Sequence, residues 1–180
     1  RRVEEELHRL ARHDPLTALA NRRQFDEFLP QAVARARHDG HALTLMFIDV
    51  DHFKSINDTL GHAGGDEVLQ EFAWRLHANV REQDFVARLA GDEFVIVVED
   101  ADSAATAQAR ASTIVEAIRE PFELVGGTRQ VSASIGVAWV PGGALSAADT
   151  MHLADQALYE AKAAGRDTAC LAQHPSPGAS

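Results

Sequence analysis

The sequence has a single cysteine, Cys170, so it cannot form an internal disulfide framework. It also lacks a signal-peptide pattern and any apolar run long enough to span a bilayer. Its 180 residues are nevertheless 46% hydrophobic, which is typical of a globular chain with a sizeable core. We therefore expect one folded domain in the cytoplasm, although the full-length protein could still be attached to a membrane.

Positive charge is scarce as well. The chain has 17 Lys and Arg residues against 27 Asp and Glu residues, which gives a formal net charge of −10. A nucleic-acid backbone or an anionic membrane surface requires a basic face on its partner. The composition therefore argues against nucleic acid as a partner. A small phosphorylated ligand remains compatible, because a few well-placed cations and a metal ion suffice for it.

The apolar pattern predicts the element order α, α, β, α, α, β, β, α, β, β, α. A helix capped by Asn21 is expected to run to His38, and a glycine-rich loop is expected to separate the two helices that follow the first strand. A β-hairpin lies in the middle of this otherwise alternating chain. The fold class is therefore α+β or α/β, with a central mixed β-sheet flanked by helices.

Three segments are distinguished along the chain. Residues 1–13 are interpreted as the end of a connecting helix, residues 14–172 as the folded domain, and residues 173–180 as a flexible tail. The sequence begins at Arg1 rather than Met, so we expect it to be part of a longer protein. The apolar stripe of the first helix, which comprises Val3, Leu7 and Leu10, is too short to indicate a coiled coil.

Acidic residues stand at two strand ends. Asp49 ends the apolar run "LMFID", and Asp92 and Glu93 lie at the tip of the hairpin in "RLAGDEFVIVV". Asp92 and Glu93 alone would suit an ordinary solvated turn, but an acid that ends a buried strand is costly without a partner. Asp51 is expected to cap the helix that follows it.

If the two strands are neighbours, the three carboxylates meet at one edge of the sheet. Their mutual repulsion then requires a cation. Hard oxygen ligands suit Mg²⁺ or Mn²⁺, which also bind phosphate oxygens. This combination is typical of two-metal phosphoryl or nucleotidyl transfer.

Five blocks of sequence carry a resemblance to a known family. They are "DPLTALANRRQF", "FIDVDHFKSINDTLGHAGGDEVL", "RLAGDEFVIVV", "VSASIGVAW" and "ADQALYEAKAAGRD". In order and rough spacing, they resemble the GGDEF-domain diguanylate cyclases of bacterial second-messenger signalling, here with an AGDEF signature. The resemblance covers residues 14–167, and five ordered blocks are far more specific than one short motif.

The resemblance implies a fold and a reaction. The fold would be similar to nucleotidyl cyclases and polymerase palms, with the signature on a β-hairpin. Two GTP molecules, one on each subunit of a homodimer, would be joined into cyclic di-GMP with release of two pyrophosphates. Two Mg²⁺ or Mn²⁺ ions would serve each active site, and an upstream sensory domain is expected in the full-length protein.

The resemblance also implies the reacting groups. Asp49 and the backbone carbonyl of Val50 would hold metal, Asp92 would bind metal and align or deprotonate the 3′-hydroxyl, and Glu93 would be a further metal ligand. The chain's only two lysines, Lys54 and Lys162, fall on triphosphate-contacting positions, with Arg166 nearby. The remaining substrate-binding positions are Asn57 and Asp66 for guanine, together with Phe53, His62, Ala90 and Gly91.

A regulatory site is implied too. The run "REQD", Arg81 to Asp84, resembles the Arg-x-x-Asp site at which product inhibits these enzymes. Arg81 would bind a phosphate or a guanine edge of cyclic di-GMP, and Asp84 would accept from guanine. Arg88 would either assist or simply form a salt bridge. The alternative is an ordinary solvated connection with a charged pair.

Ala90 departs from the family pattern, which has glycine there. A positive φ would strain the backbone of alanine at this position, whereas with a negative φ the replacement of glycine by alanine would cost little free energy. The alternative to an active cyclase is therefore a catalytically weakened GGDEF-like receptor that binds GTP or cyclic di-GMP. A nucleotidyl cyclase with a different product is disfavoured, because Asn57 and Asp66 are retained.

Overall fold

Five helices and seven strands lie within residues 1–173, the part of the chain that the computed structural model describes. The predicted tail lies outside the described residues except for residue 173. The helices are α1 (Arg2–Arg12), α2 (Arg22–Asp39), α3 (Phe53–Ala78), α4 (Ala104–Arg119) and α5 (Ala147–Ala163). The strands are β1 (Leu43–Val50), β2 (Phe85–Ala90), β3 (Glu93–Val98), β4 (Phe122–Leu124), β5 (Gly127–Arg129), β6 (Ala133–Val140) and β7 (Thr168–Leu171).

The central sheet has five strands in the order β2-β3-β1-β6-β7. Its pairings are antiparallel except for the parallel pair of β6 and β7. The sheet is therefore mixed, as the hairpin in the sequence predicted, and β1 lies at its centre. Strands β4 and β5 form a separate two-stranded hairpin.

Strand β1 is covered on both faces, which explains its continuous apolar sequence. Met46, Ile48 and Val50 belong to a core shared with α3 and α4. Leu43 and Leu45 point the other way, into a core shared with α2 and α5. The period-2 alternation of a strand thus divides one apolar run between two layers of helices.

Side-chain caps fix where three of the helices begin. The side chain of Asn21 accepts a hydrogen bond from the backbone N–H of Gln24 at the start of α2. Ser103 and Ser146 make the equivalent bonds at the starts of α4 and α5. Such caps satisfy backbone donors that the first helical turn leaves unpaired. Within residues 1–173, no helix combines the length and the apolar character needed to cross a membrane.

The structure differs from the expected element order in three places. The two helices expected after the first strand are present but meet at Gly61, whose φ of +74° and ψ of +174° are not helical, and together they form α3 without a longer loop between them. Three strands, β4, β5 and β6, lie between α4 and α5, where two were expected. Strand β7 follows α5 and was not expected. It is short and half-buried, so its sequence "TACL" lacks the sustained pattern that identifies a strand.

Gly136 lies where α5 crosses β6 and generates a prediction for stability. A Cβ atom there would lie 2.2 Å from the backbone nitrogen of Leu158 and 2.3 Å from the carbonyl oxygen of Ala154. Gly136→Ala is therefore expected to lower the free energy of unfolding by about 1–3 kcal/mol in urea titrations. Gly126→Ala is the matched control, because nothing lies within 4 Å of the added atom. Equal stability of the two variants would show that α5 does not pack closely on β6.

Candidate active site

The pairing of β1 with β3 brings the predicted acids to one edge of the sheet. Asp49 lies directly opposite Glu93 in the antiparallel register. The backbone N–H of Val50 donates to the carbonyl oxygen of Asp92 at 3.3 Å, which holds the tip of the hairpin beside the end of β1. Asp49 is buried, Asp92 is half-buried and Glu93 is exposed. Three acids from two separate stretches of sequence thus share one location.

The hairpin between β2 and β3 turns through Gly91 and Asp92. Gly91 has a φ of +48°, in the left-handed region that glycine adopts most easily. Ala90 ends β2, pairs with Glu93 after a register shift at Arg88, and is not among the residues with positive φ. The alanine in the signature therefore imposes no backbone strain, because the left-handed conformation is required one residue later.

The charges of these acids oppose one another. Burial raises the pKa of Asp92, and the negative charge of Asp49 raises it further. Partial desolvation also raises the pKa of Glu93, although the residue as a whole is exposed, and the charges of Asp49 and Asp92 add to the shift. Both groups therefore resist ionisation, and a nearby cation would relieve the repulsion.

One cation that the chain itself supplies lies at this edge. The ammonium group of Lys162, in the last turn of α5, forms an ion pair with the carboxylate of Asp49. A pocket of about 230 Å³ opens beside this pair. Its charged lining groups are Asp49, Glu93, Lys162, Arg22 and Asp155. The pocket therefore presents both signs of charge next to the predicted catalytic acids.

The donor set fits a hard divalent cation by its chemistry. Asp49, Asp92 and Glu93 offer carboxylate oxygens, the ligands that Mg²⁺ and Mn²⁺ prefer. Among residues 1–173, however, no three His, Cys, Asp or Glu side chains already converge closely enough to hold an ion. Lys162 is the ion partner of Asp49 in this arrangement. A metal that takes both carboxylate oxygens of Asp49 would displace Lys162, and a triphosphate is an acceptor to which lysine can move.

The turn after α5 carries the second predicted phosphate contact, Arg166. Gly165, Arg166 and Asp167 all have positive φ values, +111°, +64° and +51°. For residues with a Cβ atom this conformation costs roughly 1–2 kcal/mol each. The backbone N–H of Arg166 donates to the carbonyl oxygen of Ala161 at 3.0 Å and closes the end of the helix. The side chain of Arg166 is exposed.

Helix α3 carries the predicted base-recognition and phosphate positions. Lys54 is exposed in its first turn, and Asp66 is exposed after the kink. Asn57 packs against Gly65, where an added Cβ atom would lie only 1.8 Å from the Asn57 amide oxygen. Gly65 is therefore required for the close approach of Asn57. This requirement, rather than a loop, explains why glycine stands at position 65.

Two other α3 positions were expected to line the substrate. Phe53 is half-buried and packs against the core on the α3 side of the sheet. His62 is exposed directly after the kink at Gly61. His62 is therefore free to face a ligand, whereas Phe53 supports the start of the helix.

The expectation that Asp51 caps α3 is wrong. The capping position is His52, which makes no side-chain cap bond. The buried carboxylate of Asp51 instead accepts hydrogen bonds from the hydroxyls of Ser132 and Ser134, at 2.7 and 2.6 Å, and from the backbone N–H of Asp167 at 2.9 Å. Partners more than 80 residues away thus override the local capping pattern.

The Arg-x-x-Asp run forms a turn before β2. Asp84 accepts from the backbone N–H of Arg81 at 2.8 Å, while its second carboxylate oxygen is buried without a hydrogen-bond partner. Burial raises the pKa of Asp84. The guanidinium of Arg81 pairs with Asp100, which also accepts from Arg110 at 2.8 Å. Arg110 was not predicted, because no sequence signal links a residue of α4 to this turn.

Arg88, which was also assigned to the inhibitory site, forms the salt bridge that the sequence left open as an alternative. The side chain of Arg88 donates to the carbonyl oxygen of Gly91 at 2.8 Å and to both carboxylate oxygens of Asp14 at 3.1 and 3.2 Å. Burial opposes ionisation of Asp14, but hydrogen bonds from Thr17 and the charge of Arg88 outweigh it and lower the pKa of Asp14. Arg88 therefore joins the hairpin of β2 and β3 to the segment that follows α1.

A mixed sheet with acids at the tip of a hairpin and cationic side chains beside them is the arrangement expected of a nucleotidyl-cyclase-like protein. The chain belongs to the GGDEF family: residues 11–168 match the family described as "Diguanylate cyclase, GGDEF domain". This confirms both the expected family and the expected fold class.

Relatives of known name support the assignment. The chain is 43% identical over 94% of its length to the bifunctional diguanylate cyclase/cyclic di-GMP phosphodiesterase MucR of Pseudomonas aeruginosa, and 42% identical over 93% of its length to the diguanylate cyclase TpbB of the same organism. It spans only 25% and 39% of those proteins. The coiled coil and GGDEF domain of DgcB from Caulobacter crescentus, solved in complex with c-di-GMP, matches with a TM-score of 0.88 at 31% identity. That match covers 95% of this chain and 91% of the other.

The raised pKa of Glu93 generates a prediction. The folded state binds this proton more tightly than the unfolded state, so the group favours folding at low pH and loses that contribution as pH rises through its folded pKa. Without divalent cations, Glu93→Gln is therefore expected to raise the melting temperature at pH 7 by about 2 °C. The gain in melting temperature should disappear below pH 4.5, the ordinary pKa of a glutamate side chain. Glu116→Gln, at an exposed site on α4, is the control and should change little. A lower melting temperature for Glu93→Gln at pH 7 would contradict the assigned repulsion.

Proposed function

We propose that this chain is a diguanylate cyclase domain that condenses two GTP molecules into cyclic di-GMP with release of two pyrophosphates. The observation that carries the proposal is the placement of Asp49, Asp92 and Glu93 at one sheet edge, with Lys162 on Asp49 and a pocket beside them. The diguanylate cyclases among its relatives support it.

In the proposed reaction the 3′-oxygen of one GTP attacks the α-phosphorus of the other, and the bond to pyrophosphate breaks. The proton leaves the 3′-hydroxyl as the new bond forms. Asp92 stands at the hairpin tip, where its carboxylate would align the 3′-hydroxyl or accept its proton. Lys162 and Arg166 would neutralise negative charge on the departing pyrophosphate.

The carboxylates of Asp49, Asp92 and Glu93, with the carbonyl of Val50, would hold two Mg²⁺ or Mn²⁺ ions. When bound, such ions lower the pKa of a coordinated hydroxyl and neutralise charge on phosphate oxygens. Lys162 would then exchange its ion pair with Asp49 for one with the triphosphate. Lys54, exposed at the start of α3, would supply a further positive charge.

Guanine recognition is assigned to α3. Asp66 offers a carboxylate to the N1–H and exocyclic amine of guanine, a pair of donors that adenine lacks. Asn57, fixed against Gly65, offers an amide nearby. His62, Ala90 and Gly91 complete the proposed surroundings of the nucleotide.

A homodimer is part of the proposal, because each 3′-hydroxyl must reach the α-phosphate on the other subunit. The acids, lysines and base-recognition groups of one subunit would bind a single GTP, so the second GTP has to come from the partner subunit. Val3, Leu7 and Leu10 of α1 are exposed and offer a short apolar stripe for pairing. An upstream sensory domain is consistent with the small share of the multidomain relatives that this chain spans.

Product inhibition at the Arg81–Asp84 turn is also proposed. Its support is the pair of guanidinium groups of Arg81 and Arg110 that share Asp100, together with the buried oxygen of Asp84, which has no hydrogen-bond partner and would accept from a guanine donor once the turn opens. A dianionic dinucleotide would compete with Asp100 for these cations.

The receptor alternative depended on strain at Ala90, and the backbone conformation of Ala90 gives no such strain.

The activity is tested by incubating the purified chain with GTP and Mg²⁺ and quantifying cyclic di-GMP by mass spectrometry. Asp92→Asn is expected to lower the rate by about 100-fold or more, since it removes a base and a ligand without changing shape. Glu116→Gln, which makes a similar neutralisation on α4, should retain the parent rate. GTP binding by the parent without any product would support a receptor instead.

Inhibition is tested by adding cyclic di-GMP to the same assay. Arg81→Ala is expected to raise the concentration needed for half-inhibition by about tenfold or more, because a charge-assisted contact is lost. Arg37→Ala removes an exposed arginine from α2 and should leave inhibition unchanged. Equal inhibition of the parent and Arg81→Ala would refute the assignment of this turn.

A further inference from the structure

The buried carboxylate of Asp51 joins three parts of the fold. It lies just past β1 and accepts from Ser132 and Ser134, which precede and lie within β6. It also accepts the backbone N–H of Asp167 at 2.9 Å. Asp51 is only 5% exposed, and a buried carboxylate is retained at low cost only when its oxygens are fully hydrogen-bonded. Two of the three donors thus anchor Asp51 to the sheet, and the third belongs to the turn after α5.

That turn is the one whose backbone is strained. Arg166 and Asp167 both hold positive φ values, and such conformations persist only where surrounding groups enforce them. Asp167 is held from two sides. Asp51 binds its N–H from within the protein, and Arg119 of α4 binds its carboxylate at 2.8 Å and its carbonyl oxygen at 3.0 Å from outside.

We propose that Asp51 is a positioning residue: through its bond to Asp167 it fixes the left-handed turn at 165–167 and so directs Arg166 at the phosphates of the bound nucleotide. Arg119 supports the same turn from the surface. This inference rests on the proposed role of Arg166 in nucleotide binding. It assigns Asp51, which follows the metal-binding acid Asp49 by two residues, to the backbone rather than to the metal.

The two assignments differ in what Asp51→Asn should do. An asparagine can turn its carbonyl oxygen toward the N–H of Asp167 and offer its NH₂ group to a serine hydroxyl, since hydroxyls both donate and accept. The turn would then be retained. A metal ligand, in contrast, loses its negative charge in this variant. Asp51→Ala removes the bond to Asp167 in either case.

The test measures the dissociation constant of GTP with Mg²⁺ by calorimetry for the parent, Asp51→Ala, Asp51→Asn, Arg166→Ala and the double variant Asp51→Ala/Arg166→Ala. Asp51→Ala and Arg166→Ala are each expected to weaken binding by about tenfold, and the double variant by no more than either alone. Asp51→Asn should bind within about threefold of the parent. If Asp51→Ala does not fold, Arg119→Ala replaces it in the test, because Arg119 lies at an exposed site. The loss of GTP affinity that Arg119→Ala causes should likewise vanish in the Arg166→Ala background.

Four results would overturn the inference. The first is an Arg166→Ala variant that binds GTP as tightly as the parent, and the second is a double variant in which the affinity losses of Asp51→Ala and Arg166→Ala multiply. The third is an Asp51→Asn variant that binds GTP as weakly as Asp51→Ala. The fourth applies if Asp51→Ala does not fold, and is a loss of GTP affinity from Arg119→Ala that persists in the Arg166→Ala background. Arg37→Ala is the matched surface control for Arg119→Ala. Cyclic di-GMP production by the parent is assayed separately. A parent that binds GTP without turnover would refute the cyclase proposal while leaving the positioning role measurable.

Discussion

The antiparallel register between β1 and β3 is the constraint on which the site depends. It sets Asp49 opposite Glu93 and, through the bond from Val50 to the Asp92 carbonyl, holds the hairpin tip beside the end of β1. A shift of one residue would turn Asp49 to the opposite face of the sheet and place an apolar neighbour at the edge. The two layers of helices prevent that shift, because they bury alternate residues of the same strand on opposite faces.

The electrostatics follow from this geometry. Burial raises the pKa values of Asp92 and Glu93, and the neighbouring carboxylates raise them further, so the fold carries repulsion at this edge. Lys162 offsets part of it by pairing with Asp49. In the proposed cycle a divalent cation would take the place of Lys162, and the lysine would take a phosphate. The turn that bears Arg166 would be held beside them by Asp51, whose buried carboxylate serves the backbone rather than the ligand.

Local sequence predicted much of the fold and of the candidate site. It failed where a side chain's contact is made by a residue far away in the chain. The hairpin within an otherwise alternating element pattern was enough to predict the mixed sheet, and the apolar run ending at Asp49 with the acids of "AGDEF" predicted an acidic edge. The same local reasoning assigned Asp51 to a helix cap. It failed there because Ser134, a partner of Asp51, lies 83 residues away in the chain. Asp14, the ion partner of Arg88, lies 74 residues away, so local sequence could not identify it either. The φ of Ala90 likewise depends on where the hairpin turns, which its sequence alone does not fix.

A crystal structure of the chain with Mg²⁺ and a non-hydrolysable GTP analogue tests the central claim most directly. The account predicts carboxylate oxygens of Asp49 and Asp92 at about 2.1 Å from Mg²⁺, with the Lys162 ammonium moved from Asp49 to the triphosphate. An intact ion pair between Lys162 and Asp49, with the nucleotide bound away from the hairpin and no ion at the end of β1, would contradict it.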